Sequence, residues 1–216
     1  MTPPRTDTQP TARPRARKGD GDLLRDEILD AAEALLVKHG HPNSVSVRAI
    51  ANRVGVSPPA IYLHFADKEE VFFACCSRRF TELAESIEAA VGQSSNAMDR
   101  IEAMCRAYIA FGLERAEQYS VMLLSPIPEG TSPDDIAGMP GSRALMVASA
   151  VIAEGVAEGE LRADLDPGAA AVALWAACHG TVMVLLLERD TPAFPMPPQD
   201  VVVDQAISIM RHGLIA

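Results

Sequence analysis

Ser46-Val47-Arg48-Ala49-Ile50-Ala51-Asn52-Arg53-Val54-Gly55-Val56-Ser57-Pro58-Pro59-Ala60-Ile61-Tyr62-Leu63-His64-Phe65 decides the fold of this 216-residue chain. Val47, Ile50, Ala51 and Val54 recur at helical spacing behind Ser46, a residue type that caps helix N-termini. Gly55 interrupts the pattern with a residue suited to a tight turn at positive φ. Val56-Ser57-Pro58 restarts it, with a cap followed by proline at the first helical position. Two short helices about a glycine-containing turn form a helix-turn-helix, whose second helix can lie in the major groove of DNA. Ile61 and Phe65, four apart, face inward on that helix, which leaves Ser57, Pro58, Pro59, Ala60, Tyr62 and His64 as a small or polar outer surface. Asp67, with Glu70 three places on, reads as the capping box of a further helix. Lys68 beside it stands where main-chain N–H groups and an ammonium can jointly hold a phosphate oxygen.

Working outward, Leu24, Ile28, Ala31 and Leu35 give a first helix one apolar face from Asp22 to Gly40, which supports the helix-turn-helix from behind. After the motif, a helix from Lys68 to about Val91 carries Val71, Phe72, Cys75, Cys76, Phe80, Leu83 and Ile87. The spacing from Ala51 to Glu69, A-x-x-x-G-V-S-x-x-x-I-Y-x-H-F-x-x-K-E, resembles the DNA-binding domain of the TetR family of bacterial transcriptional repressors. The resemblance implies that Tyr62 and Lys68 hold phosphates, with His64 close to the backbone. It further implies that Ser57, Pro58, Pro59, Ala60 and Leu63 present to base edges or thymine methyls, and that Ser46 and Arg48 add a phosphate and a guanine contact. The paired prolines and Ala60 depart from the family's commoner polar readers. The helix from Lys68 becomes, by the same resemblance, a connector whose tilt sets the spacing of two recognition helices in a dimer.

The formal charge of -10 is unevenly spread. Residues 1–80 hold 12 Lys and Arg against 10 Asp and Glu, and residues 81–216 hold 7 against 19, so two parts of the chain have different tasks. Residues 1–19 combine Arg5, Arg13, Arg15, Arg17 and Lys18 with almost no apolar content. They read as a disordered basic arm, either a solubilising tail or a segment that lies along DNA. The N-terminus lacks the basic-then-apolar order of a secretory signal, which sets the expected location as cytoplasmic. Cys75, Cys76, Cys105 and Cys178 have no paired metal spacing and are expected as free thiols, with packing as the plainer role of Cys75 and Cys76 and thiol sensing the other. The run Ala170 to Leu187 approaches the ~20 residues of a membrane span. Its alanine content, His179 and lack of basic flanks make it instead an expected buried helix, with no membrane partner.

A second helical region begins at Asn96, a residue suited to capping. Ile101, Met104, Cys105, Tyr108 and Phe111 share one face, and a short segment from Ala116 to Leu124 follows. Ser125 to Ser142 is too rich in proline and glycine for a regular element. Arg143 to Glu158 reads as a helix with Leu145, Ala148, Val151, Ile152 and Val156 inward. Asp166-Pro167 opens another, which ends near Arg189. A proline-rich linker, Thr191 to Asp200, precedes a last helix marked by Val202, Ala206, Ile209 and Gly213. Trp175-Ala176-Ala177-Cys178-His179-Gly180, with Gly159 to Pro167 before it, resembles the Trp-His-Gly type of TetR-family C-terminal domain.

The expected fold is therefore all-α: an arm (1–19), a helix-turn-helix domain (20–67), a connector helix (68–91) and a helical ligand-binding and dimerisation domain (92–216). The family resemblance implies a homodimer through the last two helices, bound to double-stranded operator DNA as a repressor and released by a small-molecule effector. Met104, Tyr108, Phe111, Met122, Trp175 and Met183 are candidate pocket residues, with His179 as the polar handle. Each also suits a core, and His179 suits a hydrogen-bonded core position. The acidic balance of this domain leans toward neutral or cationic effectors. No catalytic residue, metal site or cofactor is expected, since no Gly-x-Ser-x-Gly tract, phosphate loop or ligand cluster occurs. The alternative is an effector-independent helical DNA-binding or adaptor protein.

Overall fold

The computed structural model describes residues 20–92, 96–122, 132, 138–190 and 195–215. The basic arm, most of the proline-rich loop and residues 191–194 of the linker lie outside the described residues. Those described are all-α, without a strand among them. The helices are α1 Asp20–His39, α2 Val47–Val54, α3 Pro58–Ile61, α4 Lys68–Val91, α5 Ala97–Glu114, α6 Ala116–Met122, α7 Pro140–Ala157, α8 Pro167–Asp190 and α9 Gln199–His212, with a 3-10 turn at Pro42–Ser44. They divide into two compact units, with the division inside α4 between Cys75 and Cys76.

In the first unit, α1 packs on α2 and the 3-10 turn, and α2 packs on α3. Ile28, Leu29, Ala32 and Leu36 of α1, Ile50 and Ala51 of α2, Ile61, Phe65 and Val71 are all buried. Burying side chains of this size stabilises by about 1.5–3 kcal/mol each for the larger ones. Gly40 ends α1 at φ +70° and Gly55 ends α2 at φ +82°, the left-handed region in which a β-carbon is costly. Cys75 is a packing residue of this unit, its thiol 3.5 Å from the Leu29 carbonyl.

In the second unit α5 is central, touching α6, α7, α8 and α9. Asn96 caps it by accepting the Asp99 N–H at 2.8 Å, and the Glu160 carboxylate accepts the Ala97 N–H at 2.6 Å. The orphan donors of its first turn are thus met from two directions. Helix α5 runs through Gly112 to Glu114, and the close approach of α8 leaves no room for a side chain at that position: an added Cβ would stand 2.6 Å from Val182 Cγ1. Helix α7 starts at Pro140, three residues before the periodic apolar pattern, since proline is suited to a first turn. Asp166 caps α8 through the Ala169 N–H at 2.7 Å.

One expectation needs correction. Helix α8 is not a buried helix. Ala171, Leu174, Cys178, Val182, Leu185 and Leu186 face the core, while Val172, Trp175, Met183, Val184 and Leu187 are exposed. An apolar pattern continuing all round a helix cannot be covered by one neighbouring layer. On α9 the inward residue is Ile207, with Val203 and Met210 against the same core, and Ile209 is 65% exposed. Arg106 of α5 fixes that register through Asp204 at 2.8 Å, and Arg211 reaches Glu102 at 3.1 Å. These pairs are at the surface and set orientation more than stability.

Candidate functional site

Within the first unit, the Ser46 hydroxyl accepts the Ala49 N–H at 3.1 Å and closes the first turn of α2, leaving Arg48 exposed at its start. Ser57 precedes α3 but makes no side-chain capping bond. The two prolines explain this: Pro58 and Pro59 carry no N–H, and the Ala60 N–H goes to the Ser57 carbonyl at 2.9 Å. The serine hydroxyl is thereby left for another partner. Ile61 and Phe65 are buried and pin the segment, while the intervening Tyr62 and Leu63 stand 53% and 83% exposed. An exposed leucine and tyrosine at the end of a short, anchored helix form a tip with no protein cover, suited to thymine methyls and phosphate.

Pro59 is exposed, Pro58 and Ala60 are half-buried, and His64 is half-buried near the start of α1, 3.9 Å from where a Cβ on Gly21 would stand. Regular α-helix covers only Pro58–Ile61, yet the Phe65 N–H still bonds the Ile61 carbonyl at 3.1 Å, which keeps Tyr62 to His64 in a turn. Asp67 accepts the Glu70 N–H at 2.7 Å, and the Glu70 carboxylate reaches back to the Ala66 N–H. Lys68 is half-buried, its ammonium 3.4 Å from the Pro42 carbonyl and 5.7 Å from the Phe72 ring centre. An ammonium has three donors, so this placement steadies Lys68 and leaves donors for a phosphate.

In the second unit a chain of polar groups threads the apolar core. The Trp175 indole N–H donates to the Tyr108 hydroxyl at 3.1 Å, Tyr108 and Tyr119 share a hydrogen bond of 2.8 Å, and the Tyr119 hydroxyl lies 2.6 Å from His179 Nδ1. The tyrosine rings meet edge to face at 6.1 Å between centres, and the Trp175 and His179 rings stack at 5.9 Å. Burial, and then its bond to Tyr108, push the Tyr119 hydroxyl far above the ordinary tyrosine value, so it stays protonated. Burial also pushes Tyr108 up.

Met104, Phe111 and Met122 are buried in the same core cluster as Tyr108 and Tyr119. Trp175 and His179 join it through hydrogen bonds, although Trp175 remains 44% exposed. Met183 follows His179 by four residues on α8 and is 42% exposed, much as Trp175 is. Tyr119 was missing from the expected site. Its neighbours Glu117, Gln118 and Ser120 are polar and gave no sign of burial, and only once buried does its phenol need a hydrogen-bond partner.

A helix-turn-helix with an exposed recognition tip, followed by a separate helical unit, defines a DNA-binding regulator of transcription. The family profile described as bacterial regulatory proteins, tetR family, matches residues 28–75. A second profile, tetracyclin repressor-like, C-terminal domain, matches residues 101–210, half of the chain. The chain belongs to the TetR family. It is similar to the HTH-type transcriptional activator FasR of Mycolicibacterium smegmatis, 30% identical over 42% of this chain and 41% of that protein. The HTH-type transcriptional regulator Mb1846 of Mycobacterium bovis is 23% identical over 70% of this chain and 65% of its own. The matched regions thus span less than two thirds of these relatives. Among solved structures, a protein of unknown function from Rhodococcus sp. RHA1 matches with a TM-score of 0.75 and 26% identity, over 95% of this chain and all of that one. The transcriptional regulator FadR from Bacillus subtilis, solved in complex with stearoyl-CoA, shares the fold at a TM-score of 0.72 and 17% identity, over 87% of this chain and 98% of its own.

Proposed function

We propose that this regulator works in the cytoplasm as a homodimer, repressing from operator DNA and released by a small hydrophobic ligand held in the second unit. The polar chain from Trp175 to His179 is the observation that carries the ligand reading. A core that needs only stability has little use for four linked polar side chains from three helices, whereas a recognition site needs a few placed polar groups on an apolar lining. The tract Trp175 to Gly180 is read as the Trp-His-Gly type of C-terminal domain on the same ground. No catalytic role is proposed; among the described residues no group of three or more His, Cys, Asp or Glu is placed to hold a metal.

Dimerisation is supported by the exposed apolar residues of α8 and α9, Val172, Val184, Leu187, Val201 and Ile209. A two-fold dimer presents two recognition helices to half-sites about 34 Å apart. The four-part division at residues 19, 67 and 91 is retained as the working domain scheme. Ser46, Arg48, Ser57, Pro58, Pro59, Ala60, Tyr62, Leu63, His64 and Lys68 are proposed as its DNA contacts.

A ligand that favours the released form weakens DNA binding by the factor by which DNA weakens ligand binding. Moving occupancy from 99:1 to 1:99 requires roughly 5.5 kcal/mol of differential affinity. The full chain is to be titrated onto duplexes from its own upstream DNA, with and without a panel of hydrophobic compounds, while particle mass is followed. A dimer that is released by a panel member is the expected result. A monomer at saturating DNA overturns the dimer, and affinity unmoved by every compound favours the effector-independent alternative.

A further inference from the structure

The ends of the polar chain fix the direction in which its protons point. Trp175 Nε1 is a donor only, so the Tyr108 hydroxyl accepts its hydrogen bond at 3.1 Å. If Tyr119 also donated to Tyr108, the buried Tyr108 hydroxyl would hold two incoming donors and have no acceptor within the cluster for its own O–H. Leaving a buried donor unmet is costly. The arrangement that satisfies every group runs one way: Trp175 donates to Tyr108, Tyr108 to Tyr119 across 2.8 Å, and Tyr119 to His179 Nδ1 across 2.6 Å. His179 Nδ1 is then an acceptor, and the ring proton sits on Nε2. Among the described residues Nε2 meets no hydrogen-bond partner, and His179 is only half-buried.

We infer that His179 Nε2–H is the head-group contact of the effector subsite, so that the ligand is an apolar molecule bearing a hydrogen-bond acceptor, a carbonyl or carboxyl oxygen. This rests on the ligand reading above and, of the neutral or cationic ligands that the domain's charge suggests, sets aside the cationic ones. A cationic amine offers only donors, and would face the donor N–H without an acceptor to give it. Tyr119 is the positioning residue, since its O–H holds the histidine in the tautomer that presents the donor.

Two measurements on the full chain test this. Long-range proton–nitrogen correlation at mildly alkaline pH, with the His179 signals identified by their loss in His179→Gln, reads the tautomer directly. An Nε2-protonated ring is expected, and an Nδ1-protonated ring overturns the proton chain. Trp175 is the sole tryptophan, so its fluorescence reports binding at the cluster without a label. Methyl decanoate, decylamine and decane share a chain and differ at the head. Methyl decanoate is expected to bind about tenfold more tightly than decane, with decylamine weakest. Tyr119→Phe is expected to shrink the ester's advantage while decane binding is retained. Equal binding of ester and alkane, or preference for the amine, overturns the head-group rule while the ligand reading survives. No response to any of the three overturns both, and the tautomer measurement still decides the proton chain.

Discussion

At Gly112 one methyl group would reach both the fold and the candidate ligand site. An added Cβ would lie 2.6 Å from Val182 Cγ1 and 3.3 Å from Tyr119 Cε2, and both neighbours are buried. Gly112→Ala gains ~1 kcal/mol of helix propensity. Overpacking costs about 1–3 kcal/mol, so the balance is a net loss on the order of 1 kcal/mol, read as a lower urea midpoint at unchanged slope. A raised midpoint would show that α5 and α8 separate freely. Tyr108 and Tyr119 make a second residue-scale prediction. Both have folded pKa values above the ordinary value of about 10. Below that value both states are protonated and the contribution is intact. Above it the unfolded chain releases protons that the folded chain keeps, so stability falls as pH rises. Tyrosinate absorbance from this pair should therefore grow only with loss of helical signal, and Tyr119→Phe should flatten the alkaline slope. Ser46 and Gly55 were legible in the sequence because a cap and a positive-φ turn are local devices. The idle Ser57 cap depends on two absent N–H groups, and the Tyr119–His179 bond joins residues 60 apart, which periodicity does not pair.

Helix α8 is the element on which sequence and structure diverge most. Its start, its end and its apolar character were readable, but only 33% of its most apolar 18-residue window is buried within the chain. Hydrophobic pattern identifies what avoids water and is silent on which surface does the covering. The exposed residues Val184 and Leu187 belong to a face that the proposed dimer would bury. Val184→Glu with Leu187→Glu should leave the helical content of the monomer intact, since both are exposed in the single chain. In a symmetric interface each substitution appears twice, and an unpaired charge at a buried contact costs about 2–5 kcal/mol. The dimer dissociation constant should rise by about 100-fold or more, with operator affinity falling alongside it. Sedimentation equilibrium reads the first effect. A dimer that tolerates both glutamates would place the contact on another face.

The charge of the whole molecule leads to a prediction about how its parts share phosphate. Of the 12 cationic residues in positions 1–80, five lie in residues 1–19 against a single acid, leaving 7 Lys and Arg against 9 Asp and Glu from 20 to 80. The domain that carries the recognition helix is therefore slightly acidic without its arm, and residues 81–216 add 19 acids against 7 bases. Net charge of that sign opposes approach to DNA, so local placement must offset it: Lys68 at the start of α4, Arg48 at the start of α2, and the basic arm. Each phosphate neutralised contributes about 0.9 to the slope of log affinity against log salt. Lys68→Ala should lower that slope by ~1 per subunit for specific and random duplexes alike, because a phosphate contact carries no sequence information. Deleting residues 1–18 removes five cations and should lower the slope by more than Lys68→Ala does, with sequence preference retained. If the slope of the shortened protein matches that of the full chain, the arm takes no part in binding and the acidic domain holds DNA by its recognition contacts alone.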